Sequence, residues 1–283
     1  MTDNQNKFDM THLSLGKTTE YVSNYTPSLL QAVPRSVNRS EIGVGEILPF
    51  SGCDVWNGYE LSWLNSKGKP VVALLRCTIP CESPNLIESK SFKLYLNSFN
   101  QTRFDNLQQV ETSLRKDLST TAEREVNVEL FSPQQWAKYA ATSLPGRCID
   151  ELDIEMNSYT INPSFLSHKS EVQEPATREV LHSHLLKSNC LITNQPDWAS
   201  IIIDYQGSPI CHESLLKYLV SFRMHNEFHE QCVERIFTDL MAAFDCKKLT
   251  VQALYTRRGG LDINPFRSSQ AGVMPPLLRV NRQ

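Results

Sequence analysis

The chain has 283 residues, of which 40% are hydrophobic and 21% charged, and a net charge of −3. That composition describes a soluble globular protein long enough for two domains, each with a core of its own. The weak negative charge excludes the electrostatic footprint of a nucleic-acid binder or of a protein drawn to anionic membranes, and no stretch approaches the roughly 20 apolar residues that span a bilayer.

Residues 1–45 are polar, contain Pro27 and Pro34, and read as an extended arm. The start, Met1 to Lys7, lacks the apolar segment of an export signal, so the eight scattered cysteines are expected as free thiols in the cytoplasm. Gly43-Val44-Gly45-Glu46-Ile47-Leu48 lacks the third glycine of a dinucleotide fingerprint and reads as a loop. Residues 59–64, a Lys67-Gly68 turn and residues 70–77 predict a hairpin. Residues 86–100 and 106–118 predict helices, and 125–131 alternate as a strand. A proline-bearing connection covers 145–177. Beyond it the order recurs: strands over 180–186 and 199–205, helices over 214–223 and 227–244, a strand over 249–255 and one more to close. Hairpins split by two helices imply an α+β fold of two tandem modules, each an antiparallel sheet with helices on one face.

The recurrence extends to identities. Residues 88–99 and 211–222 align without a gap, pairing Ser91, Tyr95, Leu96, Ser98 and Phe99 with Ser214, Tyr218, Leu219, Ser221 and Phe222. A repeat of this length points to two copies of one structural unit. After the shared phenylalanine the copies diverge. Only the second runs into a stretch dense in titratable groups, Arg223-Met224-His225-Asn226-Glu227-Phe228-His229-Glu230.

Three motifs can carry chemistry. His225, His229 and Cys232 stand at i, i+4 and i+7, which on a continuous helix forms one face and imitates a zinc site; buried helix histidines are the plainer reading. Cys190 lies among polar, turn-forming neighbours, which argues against core burial. Asp197 follows across a loop stiffened by Pro196, and Trp198 beside it is placed to desolvate that carboxyl. A lone cysteine is otherwise a small buried hydrophobe. Finally, Arg257-Arg258-Gly259-Gly260 ends a strand; it is either a charged hairpin turn or an anion cradle, because arginine forks bind phosphate and glycine admits close backbone approach.

The chain resembles the long, two-module form of the NADPH-dependent 7-cyano-7-deazaguanine reductases, the nitrile reductases of queuosine biosynthesis. The likeness is carried in order by Leu15-Gly16-Lys17-Thr18-Thr19-Glu20-Tyr21, Glu88-Ser89-Lys90-Ser91, the run from Ser188-Asn189-Cys190 to Asp197, residues 222–234 and residues 257–267. It implies two tunnelling-fold modules, shared in type with GTP cyclohydrolase I, over 46–165 and 166–283 behind the 1–45 arm. The second module has Cys211-His212-Glu213-Ser214 where the first keeps Glu-Ser-Lys-Ser, so the resemblance places the pocket where the modules meet. It implies Cys190 as the nucleophile that forms a thioimide with the nitrile carbon, Asp197 as proton donor and His229 as relay. Ile87, Glu88, Ser89, His229 and Glu230 are the implied substrate contacts, and Ser89, Lys90, Arg258 and Gly259 the implied NADPH contacts. The implied partners are the small-molecule substrate and a second copy of the chain in a homodimer, with no nucleic acid, membrane or metal. A zinc-dependent cyclohydrolase on the same fold is the competing expectation, and a non-catalytic purine- or pterin-binding module a third.

Overall fold

The computed structural model describes residues 21–170 and 175–283; the Leu15-to-Glu20 part of the arm motif lies outside them. The chain divides into two compact units. One takes the described part of Met1–Leu48 with Val55–Ala140 and Arg257–Asp262, the other Pro49–Asp54, Ala141–Thr256 and Ile263–Gln283. Residues 141–165, read from sequence as the tail of the first module, belong to the second unit because their backbone pairs with it. Residues 21–45, read as an arm, belong to the first.

In the first unit a 3-10 turn, Pro27–Leu29, leads into β1 (Ala32–Pro34) and α1 (Arg35–Ser40). The strands β2 (Ser51–Leu64) and β3 (Pro70–Pro80) flank the Lys67-Gly68 turn, where Gly68 has φ +82°. Then come β4 (Asn85–Ile87), α2 (Ser89–Asn97), α3 (Leu107–Ala122) and β5 (Asn127–Phe131). β1 pairs antiparallel with β4, and β3 lies between β2 and β5. α3 is capped by the Asn106 side chain, which accepts from Gln109 N at 2.9 Å. Its four-residue spacing of Val110, Leu114, Leu118 and Ala122 is fully buried, the stripe expected of a helix facing a core. Trp56 and Phe92 meet in that core at 5.4 Å between ring centroids. The returning strand expected after β5 is replaced by a 3-10 segment, Pro133–Tyr139. Tyr139 there meets Phe131 edge-on at 4.8 Å.

The second unit holds β6 (Arg147–Cys148), β7 (Thr177–Asn189), β8 (Pro196–Gly207), α4 (His212–Ser221), α5 (His229–Ala243), β9 (Lys248–Tyr255) and most of β10 (Leu261–Ser268). Its strand order is β10-β9-β8-β7-β6, antiparallel except for the short parallel β6–β7 bridge. α5 turns Val233, Ile236, Phe237 and Leu240 inward, and Ile201, Ile203, Val251 and Ala253 of the sheet are as fully buried. Arg267 is wholly buried between two carboxylates, Asp54 at 2.8 Å and Glu234 at 2.8 Å. The fold class is thus the α+β, antiparallel, two-unit architecture read from the sequence.

The repeat is structural as well as textual. In each unit the first helix is clasped to the second by a tyrosine–aspartate hydrogen bond, Tyr95 to Asp117 at 2.7 Å and Tyr218 to Asp239 at 2.6 Å. Ser98 donates to Tyr95 O and Ser221 to Tyr218 O, both at 2.6 Å. A strap crosses each helix. Gln31 N donates to Ser91 Oγ at 3.0 Å and Ser167 N to Ser214 Oγ at 3.1 Å; Thr26 N and Asn162 N do the same to Ser98 and Ser221. The serines shared by the two sequence copies are therefore the anchor points for these straps. Residues 162–167 of the proline-bearing connection thus make the contacts that residues 26–31 make in the first unit.

Candidate active site

β7 and β8 form a hairpin whose last pairs are Ser188 with Asp197 and Asn189 with Pro196. Cys190 opens the turn. Its N–H donates to Gln195 O at 2.8 Å and its carbonyl accepts from Asn194 N at 3.0 Å; Asn194 adopts φ +56°, a conformation asparagine tolerates well. Cys190 stands just past the end of β7, two residues beyond Ser188, the register partner of Asp197. Its polar neighbours suggested exposure, but Cys190 is only 7% exposed, because the turn folds back on it and Asn226 Nδ2 reaches its carbonyl at 3.4 Å.

The segment before α5 is laid beside the end of β7. Asn189 N donates to His225 O at 2.7 Å and Glu227 N to Asn189 O at 3.1 Å. The buried Glu227 is held by Arg235 Nε at 2.6 Å. This pairing keeps residues 225–227 extended, so α5 starts only at His229. The expected single helical face of His225, His229 and Cys232 therefore does not form. His225 turns to Glu227 instead, at 3.2 Å, and the three do not gather as a ligand set among the described residues.

Starting α5 at His229 delivers that imidazole to Asp197, with Nε2 3.3 Å from Oδ2. The ring stacks on Tyr255 at the end of β9, 3.9 Å between centroids and 14° between planes. His229 Nδ1 is buried with no hydrogen-bond partner among the described residues. Asp197 is 3% exposed. Trp198 was expected to desolvate it, but adjacent residues of a strand face opposite sides. The indole instead carries the guanidiniums of Arg223 and Arg282 at 5.3 and 5.4 Å. The Tyr255 ring takes its place, and burial first, then Cys232, pushes that phenol well above its ordinary range. Glu230, whose plain reading was a solvated helix face, is 4% exposed in the first turn of α5, where the helix dipole favours a carboxylate.

The remaining expected residues lie in the first unit. Glu88 is the N-cap of α2: its carboxylate accepts from Lys90 N at 2.8 Å and Ser91 N at 2.7 Å. Burial, partly offset by those two bonds, raises its pKa above the usual 4.5. Ile87 ends β4 and is 3% exposed; Ser89 and Lys90 open α2. Arg258 and Leu261 exchange backbone hydrogen bonds at 2.9 and 3.1 Å around Gly259 and Gly260, with φ +58° and +78°. Positive φ at both central residues makes this a two-residue hairpin turn that needs glycine. Lys93, one turn of α2 beyond Lys90, lies alongside Gly259 and pairs with Glu60. The middle of α2 thus lies beside the Gly259–Gly260 turn, where Lys93 and Glu60 meet as an ion pair. Tyr255, Asn226 and Glu227 were not singled out from the sequence as site residues. Glu227 carried a signal, a charge between two histidines, whereas Tyr255 carried none.

Residues 21–130 match the family described as nitrile reductase, 7-cyano-7-deazaguanine-reductase N-term, and residues 196–273 match the QueF-like protein family. The chain belongs to the nitrile reductases of the queuosine pathway. The matched spans include Ile87 to Lys90, Asp197, His229, Glu230, Arg258 and Gly259, while Cys190 falls in the stretch between them. A crystal structure of the archaeosine synthase QueF-Like in the apo form is similar at 19% identity over 36% of this chain and 99% of that one, with a TM-score of 0.30. No described helix is long and apolar enough to cross a membrane.

Proposed function

We propose that the protein reduces the nitrile of 7-cyano-7-deazaguanine to the aminomethyl group at the expense of two NADPH, through a thioimide on Cys190. The observation that carries the reading is the buried Asp197 beside His229, whose ring stacks on Tyr255, at the hairpin end that bears Cys190. Direct hydride addition to a nitrile builds charge on nitrogen, and covalent catalysis divides that barrier. Cys190 as thiolate bonds to the nitrile carbon while Asp197 gives its proton to the nitrogen. His229, 3.3 Å from Asp197, passes a replacement proton inward. Once the C=N bond is reduced, the carbon–sulfur bond breaks and the electron pair returns to Cys190. A second reduction of the released imine, with one more proton, gives the amine.

Glu230 is assigned to the guanine-like edge, where one carboxylate accepts from a ring N–H and an exocyclic amine together. Glu88 spends two acceptor positions on α2 but a carboxylate offers about four, leaving room for a second contact to the heterocycle alongside Ile87 and Ser89. For NADPH, the fit test is the turn at Gly259. The α2 backbone donors are taken by Glu88, so phosphate binding falls to side chains, and Ser89, Lys90 and Arg258 around Cβ-free Gly259 suit it. NADPH supplies hydride when bound. We further propose a homodimer, because tunnelling folds close by joining modules around an axis.

The test is NADPH oxidation on addition of the nitrile. Without NADPH, intact mass should show a one-substrate adduct on the wild type and none on Cys190→Ala. An adduct that survives the substitution overturns the assignment of the nucleophile.

A further inference from the structure

A second cluster of metal-ligating side chains lies elsewhere in the second unit, on β6 and β7. Cys148, His182 and His184 each place a donor atom within 4.8 Å of the others. The backbone builds the cluster. Cys148 is directly opposite His182 in the parallel β6–β7 register, and His184, in the irregular stretch of β7 between Ser183 and Leu186, brings its ring to 5.5 Å from that of His182. The approach of β6 depends on Gly146, whose φ is +79° and where a Cβ would meet the Val180 carbonyl oxygen at 2.0 Å. Asp150 then locks the segment, accepting from Ser183 Oγ at 2.6 Å and His184 N at 3.0 Å.

Hydrogen bonds also select the tautomers. His182 Nδ1 lies 2.9 Å from Pro145 O. A carbonyl only accepts, so Nδ1 carries the proton and Nε2 keeps its lone pair. His184 Nδ1 lies 2.7 Å from Ser200 Oγ, a hydroxyl that suits either tautomer and, as acceptor, leaves Nε2 for coordination. An outer partner on the second ring nitrogen is the arrangement that orients a metal-binding histidine. None of these groups takes part in the nitrile chemistry proposed above.

We propose that Cys148, His182 and His184 form a zinc site with an open fourth position. One thiolate and two imidazoles favour zinc over magnesium or calcium, which take oxygen donors. Donors around tetrahedral zinc sit roughly 3.3–3.6 Å apart, given bonds of about 2.0 Å to nitrogen and 2.3 Å to sulfur. The cluster closes on the ion by side-chain rotation of about 1 Å, within reach of an exposed cysteine. Binding displaces the thiol proton and ties the 145–150 segment to β7.

The experiment uses the full-length protein, kept reduced by a phosphine, with Zn²⁺ titrated against a chelating dye and Co²⁺ as a spectroscopic substitute. One zinc per chain and a cobalt–thiolate charge-transfer band are expected. Cys148→Ser, which keeps a hydroxyl donor beside Asp150, should abolish the band and weaken zinc at least tenfold, and His184→Ala should also weaken zinc. Cys211→Ser should change neither. The proposal is overturned if the wild type binds no zinc, or if the band and the stoichiometry persist in a Cys148→Ser/His184→Ala double variant.

Discussion

Asp197 and His229 show how much chemistry a few ångströms of burial can create. An aspartate alone is a poor acid at neutral pH, its free value being about 3.9. Set beneath a histidine whose other nitrogen has no protein partner among the described residues, it has in the proposed mechanism a route to regain the proton it gives up. Asp197→Asn keeps the shape and loses the proton. Turnover should fall about a hundred- to ten-thousandfold with substrate KM little changed, and pre-steady-state formation of the Cys190 adduct should slow with it. A KM rise without a kcat loss would assign Asp197 to binding instead. The sequence put Asp197 and His229 together only through the family resemblance, and the structure sets them 3.3 Å apart. Sequence reading misassigned Trp198, because alternation along β8 sends neighbours to opposite faces, and it could not show Tyr255, whose stacking on His229 depends on where α5 starts.

Elements explain which boundaries were readable. The β2–β3 hairpin announced itself through Lys67-Gly68, and α3 through its four-residue stripe, whereas β1, β4 and β6 are two or three residues long and exist only through their partners. α5 was read two residues too early because nothing local shows that Glu227 N is committed to Asn189 O. The α2 cap supports a prediction about pH. Glu88 has a raised folded pKa, so the fold binds its proton more tightly than the unfolded chain. Its contribution is fullest below about pH 4.5 and is lost as pH rises through the folded value. Glu88→Gln should therefore flatten the decline of stability above that pH, as read from urea midpoints relative to wild type; an unchanged slope would show that burial does not control this carboxyl. Arg267 is a harsher case. Arg267→Met leaves Asp54 and Glu234 buried without their common cation, and should cost about 3–5 kcal/mol in urea denaturation. A loss under 1 kcal/mol would mean that neighbouring groups already compensate the two carboxylates.

At the scale of the molecule, two units carry the same clasp and the same straps on different chemistry. The proposed catalytic residues, Cys190, Asp197 and His229, are in the second unit, and the proposed cofactor contacts, Ser89, Lys90, Arg258 and Gly259, in the first. The twelve-residue alignment made this duplication visible but stopped short of the straps, although Pro27-Ser28-Leu29-Leu30 and Pro163-Ser164-Phe165-Leu166 also match at three of four positions and both form 3-10 turns. If the chain closes its fold with a second copy, light scattering after size exclusion should give twice the 32.2 kDa chain mass. A single-chain mass at micromolar concentration would refute the dimer.

The two α-helical starts at Glu88 and Cys211 form an internal control. α4 begins with no side-chain cap on Cys211 yet keeps the Ser214 bond to Cys211 O at 2.8 Å, as α2 keeps Ser91 to Glu88 O at 2.7 Å. The scaffold therefore tolerates losing the acid at this position. The carboxylate at residue 88 is thus an addition to a helix start that the second unit builds with a thiol in its place.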